Sequence, residues 1–298
     1  MPGAGEESAS WDMDEDQASV HENAWNVLKD EYATGYGGGG TLPFLILGTS
    51  ADDDLSTPHV LSPPLMESVQ CFLPYAVSED NFRMKFSLIR DGASLHTLLQ
   101  NVRAAKHTII AIETVGGEVF GSFTSANWRK NSSYFGTGES FLWRLRSKRG
   151  AECFSVIDLA QMESELDVYP WTGENDFVQL CTHDKIAVGG GSRYEGNEII
   201  SPTVFNAPLG PRIGRDSSWE ENKPFGFGLV VDNDLLHGAS NSCLTFGSPP
   251  LCKDNPEGSP FEILNLEVWT MTPCISEEEA EKMELSQLFL EEHRETSH

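Results

Sequence analysis

The stretch His107-Thr108-Ile109-Ile110-Ala111-Ile112-Glu113, turned at Val115-Gly116-Gly117 and returned through Val119-Phe120-Gly121-Ser122-Phe123, decides how this chain folds. The first segment is rich in β-branched isoleucine, which suits a pleated strand. The paired glycines permit a tight reversal, so the three pieces read as a β-hairpin. Upstream, Asn81–Ile89 alternates apolar residues at Phe82, Met84, Phe86 and Leu88, the period of a half-buried strand. Asp91-Gly92 closes it with a turn. Leu95, Leu98, Leu99, Val102 and Ala105 then recur at helical spacing. Earlier still, Ser62 before Pro63 reads as an N-cap; Leu65, Val69 and Phe72 share a face, and Pro74 stops that helix.

Downstream of the hairpin, short strand patterns recur at Ser140–Leu145, Cys153–Leu159, Asp167–Tyr169, Phe177–Leu180, Ile186–Val188, Phe225–Val231 and Phe261–Thr270. Many short strands, few helices, 27 Gly and 16 Pro predict an α+β, strand-dominated domain. Its expected form is an antiparallel β-sandwich of two sheets flanked by a few helices. Residues 192–224 are polar and proline-interrupted and read as a long surface loop.

The ends differ from the middle. Residues 1–60 hold twelve acids against Lys29 alone, with a flexible Gly stretch at Gly35–Gly40, and read as an acidic, Gly-rich, largely disordered tail. Ala24–Leu28 and Leu42–Leu47 are the pieces in it apolar enough to order. The domain is expected over 62–274, followed by an acidic helix over 275–298. Ser276-Glu277-Glu278-Glu279 forms a capping box for that helix, and Met283, Leu285, Leu288 and Phe289 give it an apolar stripe fit to pack back or to meet a partner.

Net charge is −26, which disfavours nucleic acid and anionic membrane as partners and favours a basic protein surface. The six cysteines are scattered without a C-x-x-C pair, the usage of a reducing, cytoplasmic compartment. No leader pattern is read at Met1–Ser10, and the longest apolar run, Leu42–Leu47, is too short to span a membrane.

The chain's motifs for chemistry are incomplete. Asp12, Asp14 and Asp16 start a calcium loop, but Gln17 stands where its glycine is needed and Asn23 where its bidentate glutamate is needed. Asp234, His237, Ser240, Ser242 and Cys243 are the nearest approach to a triad, without a nucleophile elbow. His237, Cys243 and Cys252 are too irregularly spaced for zinc. Gly189–Gly191 has no following Lys for a phosphate loop. The sequence therefore calls for no metal and no cofactor. Two carboxylates remain: Glu139 in Gly136-Thr137-Gly138-Glu139 and Glu174 in Trp171-Thr172-Gly173-Glu174-Asn175. Acids beside glycines pin turns by accepting backbone N–H bonds; in one cleft they would serve as an acid–base pair.

Taken in order, these segments resemble the TLDc domain of the oxidation-resistance protein family. The resemblance runs through Ser87-Leu88-Ile89-Arg90-Asp91-Gly92-Ala93-Ser94-Leu95, Gly117-Glu118-Val119-Phe120-Gly121-Ser122-Phe123-Thr124-Ser125 and Trp128-Arg129. It continues through Tyr134-Phe135-Gly136-Thr137-Gly138-Glu139-Ser140-Phe141-Leu142-Trp143 and Tyr169-Pro170-Trp171-Thr172-Gly173-Glu174-Asn175-Asp176. It closes with Gly189-Gly190-Gly191, Phe227-Gly228-Leu229, His237-Gly238-Ala239-Ser240, Cys243-Leu244-Thr245-Phe246 and Leu266-Glu267-Val268-Trp269, and covers about 62–271. It implies a sandwich of two antiparallel sheets, a role in resistance to oxidative stress, and binding to a vacuolar proton-ATPase subunit that alters assembly or activity of that pump. It implies no established reaction. Arg83-Met84 departs from the family's usual aromatic–aliphatic pair, and the 192–224 loop is longer than usual.

Two functions follow as expectations. The first is a monomeric, non-enzymatic interaction module, cytoplasmic or recruited to endomembranes or mitochondria. The second is an antioxidant enzyme or redox-active protein using Glu139 and Glu174 or a free cysteine.

Overall fold

The computed structural model describes residues 44–49, 59–150, 156–191, 194–195, 198–199 and 226–295. The expected acidic tail lies outside these residues except for 44–49 and 59–60. The 192–224 loop lies outside them except for a two-residue ladder of β9 (Tyr194–Glu195) and β10 (Glu198–Ile199).

Eleven strands form one sheet that folds over itself. Its first layer runs β1 (Ile46–Leu47), β2 (Asn81–Ser87), β13 (Pro260–Thr272), β3 (Thr108–Thr114), β4 (Val119–Thr124), β5 (Phe141–Leu145) and β6 (Leu166–Pro170). The second runs from β13 through β12 (His237–Ala239), β11 (Leu229–Asp232) and β8 (Lys185–Val188) to β7 (Gln179–Cys181). Thirteen residues long, β13 belongs to both. Phe261 and Glu262 pair with β12, whereas Ile263–Thr270 pair with β3 and Glu267–Thr272 with β2. A register shift between Ile263 and Asn265 marks the crossover, a bend that bulges permit. The sandwich expected from the strand pattern is therefore present, with one strand as its corner.

Two cores result. Ile110, Ile112, Phe120 and Leu142 of the first layer meet Ile186, Val188, Leu229 and Val231 of the second. On the other face of the first layer, Ile109, Phe123, Trp143 and Trp269 pack beneath Leu65, Met66 and Val69 of α1 (Pro63–Gln70). Covering on both sides explains why the second half of β13 and all of β4 are buried residue after residue rather than alternately. Gly121 is required here. It lies opposite Ala111, and a Cβ would stand 1.8 Å from the Ile110 carbonyl oxygen and 2.8 Å from Trp143.

Ser62 caps α1 as the sequence predicts, accepting the Leu65 N–H at 3.4 Å. That helix ends at Gln70, so Phe72 falls off its buried face and is half-exposed. After β2 the chain makes a helical turn, α2 (Leu88–Asp91), then α3 (Leu95–Asn101), capped by Ser94. One strand expectation fails: within Cys153–Leu159 the chain is already helical from Val156, as α4 (Val156–Ser164). A short apolar run does not by itself separate strand from helix. Leu159 and Glu163, four residues apart, put one face of α4 inward.

Candidate functional site

The glycine-rich signature segments are far apart in sequence and meet at one loop cluster. Thr245, fully buried, is its centre. Its hydroxyl accepts the Gly190 N–H at 2.9 Å, and has Asn175 Oδ1 at 2.8 Å and the Gly190 carbonyl at 2.9 Å as acceptors for its one proton. Asn175 Oδ1 also accepts the Phe177 N–H at 3.0 Å, and the Trp171 indole N–H donates to the Asn175 carbonyl at 2.8 Å. Thr172 joins by its N–H to the Thr245 carbonyl and by its hydroxyl to the Leu244 carbonyl. Gly138 lies flat on Trp171, where a Cβ would come within 2.4 Å of the ring. Gly189 has φ +78°, and a side chain on it would strike Cys243 Sγ. Gly136 and Gly173 take positive φ in the two flanking turns.

The two glutamates sit at the tips of matching turns. In Thr137-Gly138-Glu139 and in Thr172-Gly173-Glu174 the threonine hydroxyl accepts the glutamate's own N–H at 3.3 Å. The pinning expected of the acids is thus performed by the threonines, and both carboxylates point to solvent. Replacing Thr245 with valine keeps the shape of the side chain but strips the Gly190 N–H of its acceptor. A loss of about 1–3 kcal/mol in a denaturant melt is expected; a change under about 0.5 kcal/mol would show that the cluster is not held through this hydroxyl.

The remaining signature residues hold strands. Asp91 accepts the Ser87 N–H at 2.9 Å, and Gly92 closes α2 by donating to the Leu88 carbonyl. Trp128 donates its indole N–H to Thr108 Oγ1 at 2.9 Å. Gly238 lies under the Phe261 ring. His237 is half-exposed with Nδ1 3.1 Å from Asp234 Oδ2, a turn contact. Glu267 has no exposure, and its carboxylate accepts from the Val60 and Leu61 N–H groups and the Trp269 indole N–H, with His59 Nδ1 at 3.2 Å. Burial works to raise its pKa, but the His59 contact and the backbone donors outweigh that and hold it below the usual carboxylate range.

Sequence reading missed a second buried charge network. Arg149 donates twice to Glu163 at 2.8 Å, once to Glu113 at 2.6 Å and once to the Val60 carbonyl at 2.7 Å, while Ser62 donates to Glu163. Nothing local in the sequence marks it, because its members lie on four separate segments.

Thiols are poorly placed for redox chemistry where they are buried. Burial pushes Cys181 up to about 11, and burial with the Glu118 carboxylate does the same for Cys252. Burial also raises Cys243. Since the thiolate is the nucleophile, these three are expected to react slowly with peroxide. Cys71 is exposed, Cys274 half-buried, and Cys153 lies outside the described residues.

The second candidate surface is α5 (Glu277–Glu295). The serine half of its capping box forms: Ser276 accepts the Glu279 N–H, while Glu279 reaches one residue further back to accept the Ile275 N–H, each at 3.3 Å. Its first two turns are fastened to β2. Arg83, 4% exposed, reaches Glu277 and Glu284, and Lys85 reaches Glu284 at 2.7 Å, with Ala280 buried between. Burial opposes the Arg83 charge, and the two carboxylates overcome this and raise its pKa. The departure at Arg83 thus serves this helix. The expected stripe divides: Met283 and Leu288 are half-buried, while Leu285 and Phe289 are 66% and 59% exposed, and Leu290, absent from the expectation, joins them at 60%. Leu285 and Phe289 are four residues apart and share the face turned away from the domain. Among the described residues no helix is long and apolar enough to cross a membrane.

Fold and site together define a helix-flanked antiparallel sandwich whose signature loops are engaged in holding one another and whose terminal helix presents an apolar face. The TLDc domain profile matches residues 55–272 of this chain, and the chain belongs to that family. It is similar to Oxidation resistance protein 1 of Saccharomyces cerevisiae, 26% identical over 232 residues that cover 70% of this chain and 72% of that protein. Oxidation resistance protein 1 of Eremothecium gossypii is 29% identical over 245 residues, 78% of this chain and 80% of that one. Nuclear receptor coactivator 7 of Mus musculus is 26% identical over 199 residues, 66% of this chain but 16% of that longer protein.

Proposed function

We propose that this chain is a non-enzymatic interaction module acting in oxidative-stress resistance, and that it docks on a subunit of the vacuolar proton-ATPase to bias the assembly or activity of that pump. The observation that carries the docking is α5, a helix tied down at its root with Leu285, Phe289 and Leu290 left facing solvent. An amphipathic helix so presented is a common way to enter an apolar groove. The stress role is supported by the family and by the relatives named for oxidation resistance. The pump is supported by the family resemblance of the ordered motifs. Raised thiol pKa values weigh against the redox alternative.

Tagged full-length protein is expected to recover peripheral subunits of the pump from lysate. The double variant Leu285→Ser, Phe289→Ser is expected to recover them at least tenfold less well, with stability changed by under about 0.5 kcal/mol because both side chains are exposed. Equal recovery by the variant, or no pump subunit with wild type, would remove the proposal.

A further inference from the structure

The outer edge of β2 carries both ends of the described chain. On one side, residues 44–49 lie along it as the two-residue parallel strand β1, with Ile46 opposite Phe82 and Leu47 opposite Arg83. Phe44 is 3% exposed, its ring 4.8 Å from that of Phe82 in an edge-on contact, and Ile46 packs on the same core. The bonds that hold this segment include Phe82 N–H to the Leu45 carbonyl at 3.0 Å, Leu45 N–H to Asn81 Oδ1 at 2.7 Å, and Arg90 to the Gly48 carbonyl at 2.9 Å. Gly48 bends away at φ +74°, where a Cβ would lie 2.5 Å from the Met84 carbonyl.

The same strand carries α5 through Arg83 and Lys85. One side chain joins the two attachments. Asn81 accepts from Leu45 with its oxygen and donates with its nitrogen to the Cys274 carbonyl at 2.8 Å, just before the helix. An amide held at both ends is fixed in one rotamer; freeing either end releases the side chain to rotate and loosens its hold on the other.

We propose that the β2 edge is a strand-acceptor site, filled here by the chain's own residues 44–49 as an exchangeable ligand, and that Asn81 couples its occupancy to the seating of α5. The chemistry it reads is an extended segment running parallel to β2, with an aromatic residue for the Phe82 seat, an aliphatic residue two positions on, and glycine two beyond that. Edge strands accept such additions through main-chain bonds, with side-chain seats giving selectivity. The tethered segment competes at an effective concentration on the order of millimolar, so the wild-type site is occupied. This holds whether or not α5 engages the pump.

A fluorescent peptide of residues 42–50 is titrated into the full-length chain, wild type and Phe44→Ala. The variant, whose own segment has lost its anchor, is expected to bind the peptide at least tenfold more tightly than wild type. A peptide carrying the same substitution is expected not to bind. Equal binding by both proteins, or by neither, overturns the acceptor site. Amide exchange at Ala280–Glu284 is expected to quicken at least threefold in the Phe44→Ala protein and to recover when the wild-type peptide is added. Asn81→Asp, which keeps the acceptor for Leu45 and removes the donor to Cys274, is expected to quicken the same amides. Unchanged exchange there in both variants overturns the coupling.

Discussion

Glu267→Ala is expected to cost the domain about 3–5 kcal/mol, the range for breaking a buried charge contact by removing one partner. In a thermal melt of a domain this size that is a fall of roughly 6–20 °C. The Val60 and Leu61 N–H groups, the Trp269 indole and His59 all lose their common acceptor. Glu267→Gln tests the charge separately. The folded pKa of Glu267 is depressed from an ordinary 4.5, so its ionisation contributes stability above that value. The contribution is lost as pH falls through the folded pKa. The gap between wild type and Glu267→Gln is therefore expected to be constant near neutrality and to narrow below about pH 4.5. Asp167, Asp184 and Asp234 are depressed too and titrate in both proteins, so the difference isolates Glu267. A gap that is the same at every pH would show that the carboxylate is valued for its shape alone.

Arg149→Met is the second large effect, again about 3–5 kcal/mol. It leaves Glu113 and Glu163 facing one another with no cation between, and frees the Val60 carbonyl. The cost is expected to be non-additive. With Glu163→Gln already present, Arg149→Met should cost at least about 1 kcal/mol less than it does alone, because part of the stranded charge is gone. Additivity within about 0.5 kcal/mol would mean that the two side chains act independently. Both large effects fall on the same place: Glu267 and Arg149 each hold residues 59–62, so either variant is expected to expose that segment to protease first.

What was legible in the sequence was what neighbours decide. Ser62 and Ser276 cap the helices they precede, and the Ile-rich hairpin became β3 and β4. The sandwich was readable from strand count and turns, and the meeting of distant glycine motifs was suggested only by their resemblance to a family. The failures have physical causes. Val156–Ser164 carries an apolar run too short to show its period, and its inward face includes a charged Glu163 that reads as solvent-facing until Arg149 is placed beside it. Glu139 and Glu174 drew attention because acids are conspicuous, while the hydroxyls of Thr137, Thr172 and Thr245 do the holding. Arg83 was visible as a departure, but its partners lie about two hundred residues on. Buried charge networks are closed by contacts between remote segments, and no local pattern announces them.

The strand shared by both layers has a further consequence, for the order in which a ribosome releases this chain. β13 is the last strand to be made, yet β2, β3 and β12 all pair with it. Until Thr272 has cleared the exit tunnel, the hairpin of β3 and β4 and the ladder of β7, β8, β11 and β12 have no common partner, and their apolar faces wait uncovered. A nascent chain stalled before Pro260 should be held by chaperones and cut readily, whereas one carried on an added C-terminal linker long enough to bring Thr272 out of the tunnel should resist the same protease.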